Sequence, residues 1–452
     1  MSKLNARPKS AADLTILCKV VDNFGDIGFV YRLAKNLVQL NPQREIRIAV
    51  DNLAAFNKIE SRVDPALAEQ DLEVACADSL QAQESAGKAG NEGKPKTAAE
   101  TKSVGKPKTT GRLKIFDATN AAVCAREWTK KPARVILECF QCGRPDWLEA
   151  LLFDGVTRAL IINIDYLTAE DYAEEFHRLK SGTRSALVRK VNFMPGFTAK
   201  TGGLILDAAA TNNCLQAKDC AGGAGIVGKT LTADAAETAS KPKNAPATEN
   251  GFITKTAGPQ ILMFSYPKDF APIIRAILRW NKAAQINLAQ GAGKESFLAA
   301  NENCLQEKKT GGLFVRELPF LSQEEWDKNL YAQDILFVRG EDSLSRACLS
   351  GKPFVWQAYL QDDNYQLVKV RALLARMRPH FALEDFSALE NFWLLYNGAP
   401  GCQDPSAMEA ACYEFLSRYD NLRPGFAAFS QSLFELGNFS QKLDEFVAEW
   451  AN

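Results

Sequence analysis

The feature that most constrains this chain is the apolar run Leu14–Val21 (LTILCKVV) together with the loop and helix that come directly after it. A short apolar, β-branched stretch opens into Asp22-Asn23-Phe24-Gly25-Asp26-Ile27-Gly28, and Val30, Leu33, Leu37 and Leu40 then recur at helical spacing before a second apolar run, Glu45–Val50. Period-2 and apolar runs mark strands, and the 3.6 period marks a helix. The segment therefore reads as a strand, a helix and a parallel strand. Such units pack into doubly wound sheets that bind ligands beyond the carboxyl ends of their strands. Further strands are expected at Leu113–Phe116, Val135–Phe140 and Ala159–Ile164. The second half repeats the grammar. Strand Ile261–Ser265, helix Pro272–Asn281, strand Phe314–Val315 and strand Asp334–Val338 lead into Arg339-Gly340-Glu341-Asp342-Ser343, a helix through Ser350 stopped by Gly351, and strand Phe354–Tyr359. The expected fold is α/β, with two Rossmann-like domains facing a central cleft.

Two low-complexity stretches punctuate this pattern. Residues 80–112, built from Ala, Gly, Lys, Thr, Glu and Pro, lack apolar anchors and read as a disordered insertion. Residues 207–258 read as a low-complexity linker between an N-terminal domain, 1–206, and a C-terminal domain, 259–452. With 54 Lys+Arg against 54 Asp+Glu, no general polyanion-binding surface is expected, which argues against nucleic acid and membrane partners. The 11 scattered cysteines in a chain too long to need stapling read as reduced thiols of a cytoplasmic protein. His177 and His380 lie in charged helical surroundings and read as surface residues.

Three motifs carry possible chemistry. Gly223 to Thr230 matches the phosphate-loop pattern, and Lys229 with Thr230 would make the chain a nucleotide triphosphate enzyme. That pattern needs a strand before it and a packed helix after it, and low-complexity sequence flanks it instead. Cys139-Phe140-Gln141-Cys142 is a CxxC, but neither a second CxxC nor a His pair completes a zinc set. No metal and no cofactor is expected. The loop after the first strand holds Asp22 and Asp26 interleaved with Gly25 and Gly28, where an α/β sheet places ligands; capping of the following helix would account for Asp26 but for neither Asp22 nor both glycines. Arg339 to Ser343 ends its own strand in the same way. Ser343 is a cap candidate there, and the helix N-terminus offers a positive pole for an anion. Phe320, Gln323 and Trp326 upstream suit stacking and hydrogen-bonding of a base, although aromatics at this spacing are more often simple core.

The chain resembles the elongation factor P arginine rhamnosyltransferase (EarP) family. The matching pieces are Cys18–Gly28 (CKVVDNFGDIG), Glu138–Cys142 (ECFQC), Phe193–Gly203 (FMPGFTAKTGG), Phe264-Ser265-Tyr266, and Arg339–Gln366, which begins RGEDS. The resemblance implies a GT-B glycosyltransferase fold and inverting transfer of rhamnose from dTDP-β-L-rhamnose to an arginine of elongation factor P. It further implies Asp26 as catalytic base, with Asp22 and Glu341 as essential carboxylates. Asn23, Phe24 and Gly25 would line the sugar. Phe264, Tyr266, Phe320, Gln323 and Trp326 would hold the nucleoside, and Arg339, Gly340, Asp342 and Ser343 the diphosphate and sugar. The alternatives are the nucleotide triphosphate enzyme and a non-enzymatic nucleotide-sugar-binding module.

Overall fold

The structure is a computed structural model that describes residues 13–21, 24–76, 110–132, 134–214, 258–308 and 313–451. Its N-terminal lobe is built on β1 (Leu14–Cys18), β2 (Ile46–Val50), β3 (Glu69–Ala75), β4 (Thr110–Asp117), β5 (Val135–Cys139), β6 (Ala159–Ile164), β7 (Lys180–Ser181) and β8 (Val188–Asn192). They form one sheet in the order β3-β4-β2-β1-β5-β6-β8-β7, parallel except for β3 and β7 at its edges. All five residues of β1 are buried, because helices cover both faces of the sheet. Leu14 and Ile16 enter one core and Leu17 the other. The strand order reverses between β1 and β5, so the loops after these two strands diverge and leave a crevice at their carboxyl ends.

The C-terminal lobe repeats the plan. Here β9 (Gln260–Met263), β10 (Gln285–Leu288), β11 (Phe314–Glu317), β12 (Ile335–Arg339) and β13 (Phe354–Gln357) form a parallel sheet in the order β11-β10-β9-β12-β13. Its order reverses between β9 and β12, which puts the segments beginning at Phe264 and Gly340 at the second crevice. The α/β architecture with two Rossmann-like lobes is the one expected from the alternating periods.

The chain crosses between the lobes twice, and the crossings are bonded to each other. Phe439 N–H donates to Leu204 O (2.8 Å), and Asn438 holds the Leu206 backbone through both its amide oxygen and its amide nitrogen. Gly203 (φ +80°) and Gly437 (φ +85°) turn the two segments there. A Cβ on Gly203 would also lie 2.9 Å from Gly437 O, so close approach of the two backbones needs glycine at that point. The last helix, Phe439–Ala451, returns to the first lobe and buries Phe439, Leu443 and Val447 in its core. The division of the chain at 206 and 259 therefore does not hold at its end: residues from Phe439 onward belong with the N-terminal lobe.

Two boundaries drawn from composition also shift. Residues 110–112 pair with β3 as the start of β4. Gly111 there is a packing glycine rather than a linker residue, since a Cβ would fall 2.1 Å from Val38 Cγ1. Residues 208–214 are helical, and Asp207 before them is held by buried arginines. Most of both low-complexity stretches, with Lys229 and Thr230, lies outside the described residues. Among those described, no helix is long and apolar enough to cross a membrane.

The histidines are half-buried rather than free on the surface. His380 is half-buried against Phe429, and His177 packs on Phe193 with its Nδ1 accepting the Met194 N–H (3.1 Å). Burial, with Arg178 and Lys442 nearby, lowers the His177 pKa from 6.5 to about 4, so the fold holds it neutral. Its stabilising contribution is complete above pH 6.5 and is lost as pH falls through 4. At 1.36 kcal/mol per pKa unit this amounts to at most ~3 kcal/mol. Urea unfolding at pH 7 and pH 4 should show the loss, and His177→Asn, which keeps an acceptor for Met194, should reduce the difference by up to that amount.

Candidate active site

Asp26 stands in the first turn of helix Gly25–Leu40, directly beyond β1, and is 1% exposed. It does not cap the helix, whose N-cap Phe24 makes no side-chain bond. Instead its Oδ2 accepts the Val21 N–H (2.7 Å), and its Oδ1 faces the Tyr166 hydroxyl (3.3 Å). Tyr166 stacks on Phe140 at 4.4 Å. Phe140 and Gln141 follow β5 with φ of +57° and +52°, and such strained conformations in non-glycine residues gather at functional sites. Cys139, the last residue of β5, and Cys142 of the loop are free thiols; burial and Glu138 push Cys142 up to about 12, which leaves it protonated and unreactive at neutral pH. Asp22 and Asn23 lie outside the described residues.

Across the crevice, β12 delivers Arg339, and helix Glu341–Ser350 starts immediately after Gly340. Gly340 has φ +69° and ψ 162°, a region open essentially only to glycine, while the space a Cβ would fill there is empty. Gly340 is also the N-cap, so Ser343 lies inside the first turn and does not cap. The Arg339 guanidinium rests on the rings of Phe264 (4.5 Å) and Tyr266 (4.6 Å). Its Nε–H is buried without a hydrogen-bond partner, and it makes no ion pair with any described residue. An arginine held by ring faces alone is available to an anion.

Two adjoining cavities occupy the cleft. The first, about 420 Å³, is walled by Phe264, Phe320, Trp326, Gln323, Arg339 and Ser343. Phe264 and Trp326 meet edge to face at 4.9 Å, as do Phe320 and Phe24 of the opposite lobe. Gln323 spends its amide N–H on Gly28 O (2.7 Å), and its buried Oε1 has no partner among the described residues. The second cavity, about 590 Å³, is bordered by Asp26, Phe140, Tyr166, Tyr266 and Glu341. Gly25, Gly340 and Asp342 border both, so the chambers meet where the two lobes face each other. The structure thus brings Asp26 and Glu341 to one chamber and most of the aromatic set to the other. Tyr266 lines the chamber of the carboxylates rather than the aromatic one.

Asp342 borders both chambers and is also bonded across the cleft. Both of its carboxylate oxygens accept from Arg32, Oδ1 from Nε and Oδ2 from Nη2, each at 2.9 Å. Arg32 is not apparent as a site residue from sequence. The only signal there is an arginine among the apolar positions of the first helix, and such residues commonly extend to solvent.

Two Rossmann-like lobes facing each other across a cleft, with an aromatic chamber beside a carboxylate chamber, make up the GT-B fold, the architecture of a class of glycosyltransferases. The model of the Elongation-Factor P (EF-P) rhamnosyltransferase EarP family matches residues 14–91 and 103–448, and the chain belongs to that family. The protein-arginine rhamnosyltransferase of Pseudomonas putida is 28% identical over 392 residues, covering 84% of this chain and 86% of that one. The protein-arginine rhamnosyltransferase of Neisseria meningitidis is 25% identical over 446 residues, 96% of each chain. A solved structure concerned with EarP-mediated arginine glycosylation of translation elongation factor EF-P matches in fold, with TM-score 0.51 and 18% identity over 96% of this chain and 98% of that one.

Proposed function

We propose that this enzyme transfers rhamnose from dTDP-β-L-rhamnose to an arginine side chain of translation elongation factor P, inverting the anomeric centre. A translation factor as acceptor sets the reaction in the cytoplasm. The observation that carries the reading is the shared border of the two chambers. Asp26 from one lobe and Glu341 from the other edge the same space, next to an aromatic chamber whose Arg339 has no anionic partner among the described residues.

In this reading Phe264, Trp326 and Phe320 enclose the thymidine, and the unpartnered Gln323 Oε1 accepts the pyrimidine ring N–H. Arg339, Ser343 and the first turn of helix Glu341–Ser350 hold the diphosphate. The acceptor guanidinium is delocalised and stays protonated in water, which makes it a poor nucleophile. Asp26 orients one of its nitrogens toward the anomeric carbon and takes a proton as the C–N bond forms. Glu341 and Asp22 counter positive charge beside it. As the bond to the diphosphate breaks, negative charge grows on the leaving group, where Arg339 and the helix amides stabilise it. Attack opposite the leaving group inverts the sugar carbon.

Ligand linkage tests the donor side. At 100 times its dissociation constant a ligand adds about 2.7 kcal/mol to stability, or several degrees in Tm for a chain of this size. Thymidine diphosphate should raise Tm by roughly 5 °C, and ATP and NAD by less than about 1 °C. A larger shift with ATP would replace this reading.

A further inference from the structure

Arg32 lies in helix Gly25–Leu40 of the first lobe, 2% exposed, at the centre of a charge cluster that joins three parts of the molecule. Besides the fork to Asp342, its Nη1 meets Asp327 Oδ2 (2.6 Å) and its Nη2 meets Asp327 Oδ1 (3.0 Å), on helix Gln323–Ala332 of the second lobe. Nη1 also reaches Asp207 (2.5 Å) in the segment that crosses between the lobes. Fully buried Arg346, on helix Glu341–Ser350, pairs with the same Asp207 (3.3 Å) and donates to Ile205 O (2.7 Å). Burial opposes charge throughout. Arg32 nevertheless outweighs it at Asp342, whose pKa falls, whereas burial prevails at Asp327, whose pKa rises.

Removing charges from water is costly, and a hydrophobic pair of the same volume would usually hold two surfaces together as well or better. What an ionic fork adds is geometry: a planar guanidinium accepts a carboxylate in one plane and one register. The register here is specific. Arg32 and Asp26 share one helix, and Asp342 is the neighbour of Glu341 in another. The fork therefore ties the helix carrying one chamber carboxylate to the residue next to the other.

We infer that the Arg32–Asp342 fork is an interlobe clamp that sets Glu341 and the start of its helix against Asp26, and that Asp342 is a positioning residue rather than a contact to the donor sugar. The inference rests on the reading of the two chambers as one reaction cleft. Each Asp342 oxygen takes one N–H of Arg32, which fixes the plane of the carboxylate at the boundary of the lobes, so the clamp acts through the spacing of the two lobes.

The test uses the full chain with wild type, Asp342→Asn, Arg32→Lys and the double variant. Donor affinity is measured by calorimetry with dTDP-rhamnose, transfer by intact mass of the acceptor, and backbone opening by hydrogen exchange over residues 340–343. A misplacement of about 1 Å costs up to ~100-fold in rate. Each single variant should lower kcat roughly 10- to 100-fold with donor affinity within about threefold, and the double should lose no more than the worse single, as for two halves of one contact. Exchange over 340–343 should accelerate in Asp342→Asn whether or not donor is present. Unchanged kcat, multiplied losses in the double variant, or a tenfold loss of donor affinity in Asp342→Asn would each overturn the clamp. Should Arg32→Lys fail to fold, Asp342→Asn decides alone through its rate, affinity and exchange. A wild type that does not bind dTDP-rhamnose would refute the donor reading instead, and the exchange comparison would still judge the clamp.

Discussion

Asp26→Asn should lower the transfer rate by ~1,000-fold while leaving affinity for dTDP-rhamnose within about threefold, within the range for loss of a positioned general base. The substitution keeps the size and shape of the side chain and removes its charge. An asparagine oxygen can still accept the Val21 N–H, and its amide group can turn toward the Tyr166 hydroxyl, so the turn beyond β1 keeps its bonds. What disappears is the ability to take a proton. Without it a guanidinium cannot present an unshared pair to the sugar carbon, whatever its position. Single-turnover transfer and donor calorimetry on the same preparation separate the two effects. Turnover retained within tenfold would remove Asp26 as the base.

Arg339→Met should raise the dissociation constant of thymidine diphosphate ~100-fold, or about 2.7 kcal/mol, as expected when a charge-assisted contact to phosphate is lost. The site itself makes the result interpretable. Removing most arginines from a protein interior orphans a carboxylate, but Arg339 has no ion-pair partner among the described residues. Methionine can lie on Phe264 and Tyr266 in its place, so the stability cost should stay below ~1 kcal/mol. Arg339→Lys should recover little, because a point charge does not reproduce the guanidinium fork or its stacking. Titration calorimetry that finds less than a threefold change would place the diphosphate elsewhere.

How much of this is legible in the sequence depends on whether the deciding physics is local. The strands and helices around both crevices come from apolar periodicity, since parallel strands buried on both faces leave continuous apolar runs such as Leu14–Cys18. The glycine after β12 and the carboxylate after β1 are visible as turn chemistry at strand ends. Contacts between lobes are not. Arg32 and Asp342 are 310 residues apart, and nothing in either neighbourhood marks the other as its partner. Helix Phe439–Ala451 is amphipathic in sequence, but periodicity does not say which lobe receives the apolar face, and it is the bonded crossing at Leu204 and Asn438 that directs it to the first. Gly111 reads as part of a low-complexity tract because the role of a packing glycine is defined by the side chain opposite it, here Val38.

The most direct measurement is intact-mass analysis of elongation factor P incubated with the enzyme and dTDP-β-L-rhamnose, with fragmentation of the product and assignment of its anomeric configuration. The account predicts one added deoxyhexose, on an arginine, with the opposite anomeric configuration from the donor. An unmodified acceptor in the presence of bound donor, a sugar on another residue type, or retained configuration would contradict it.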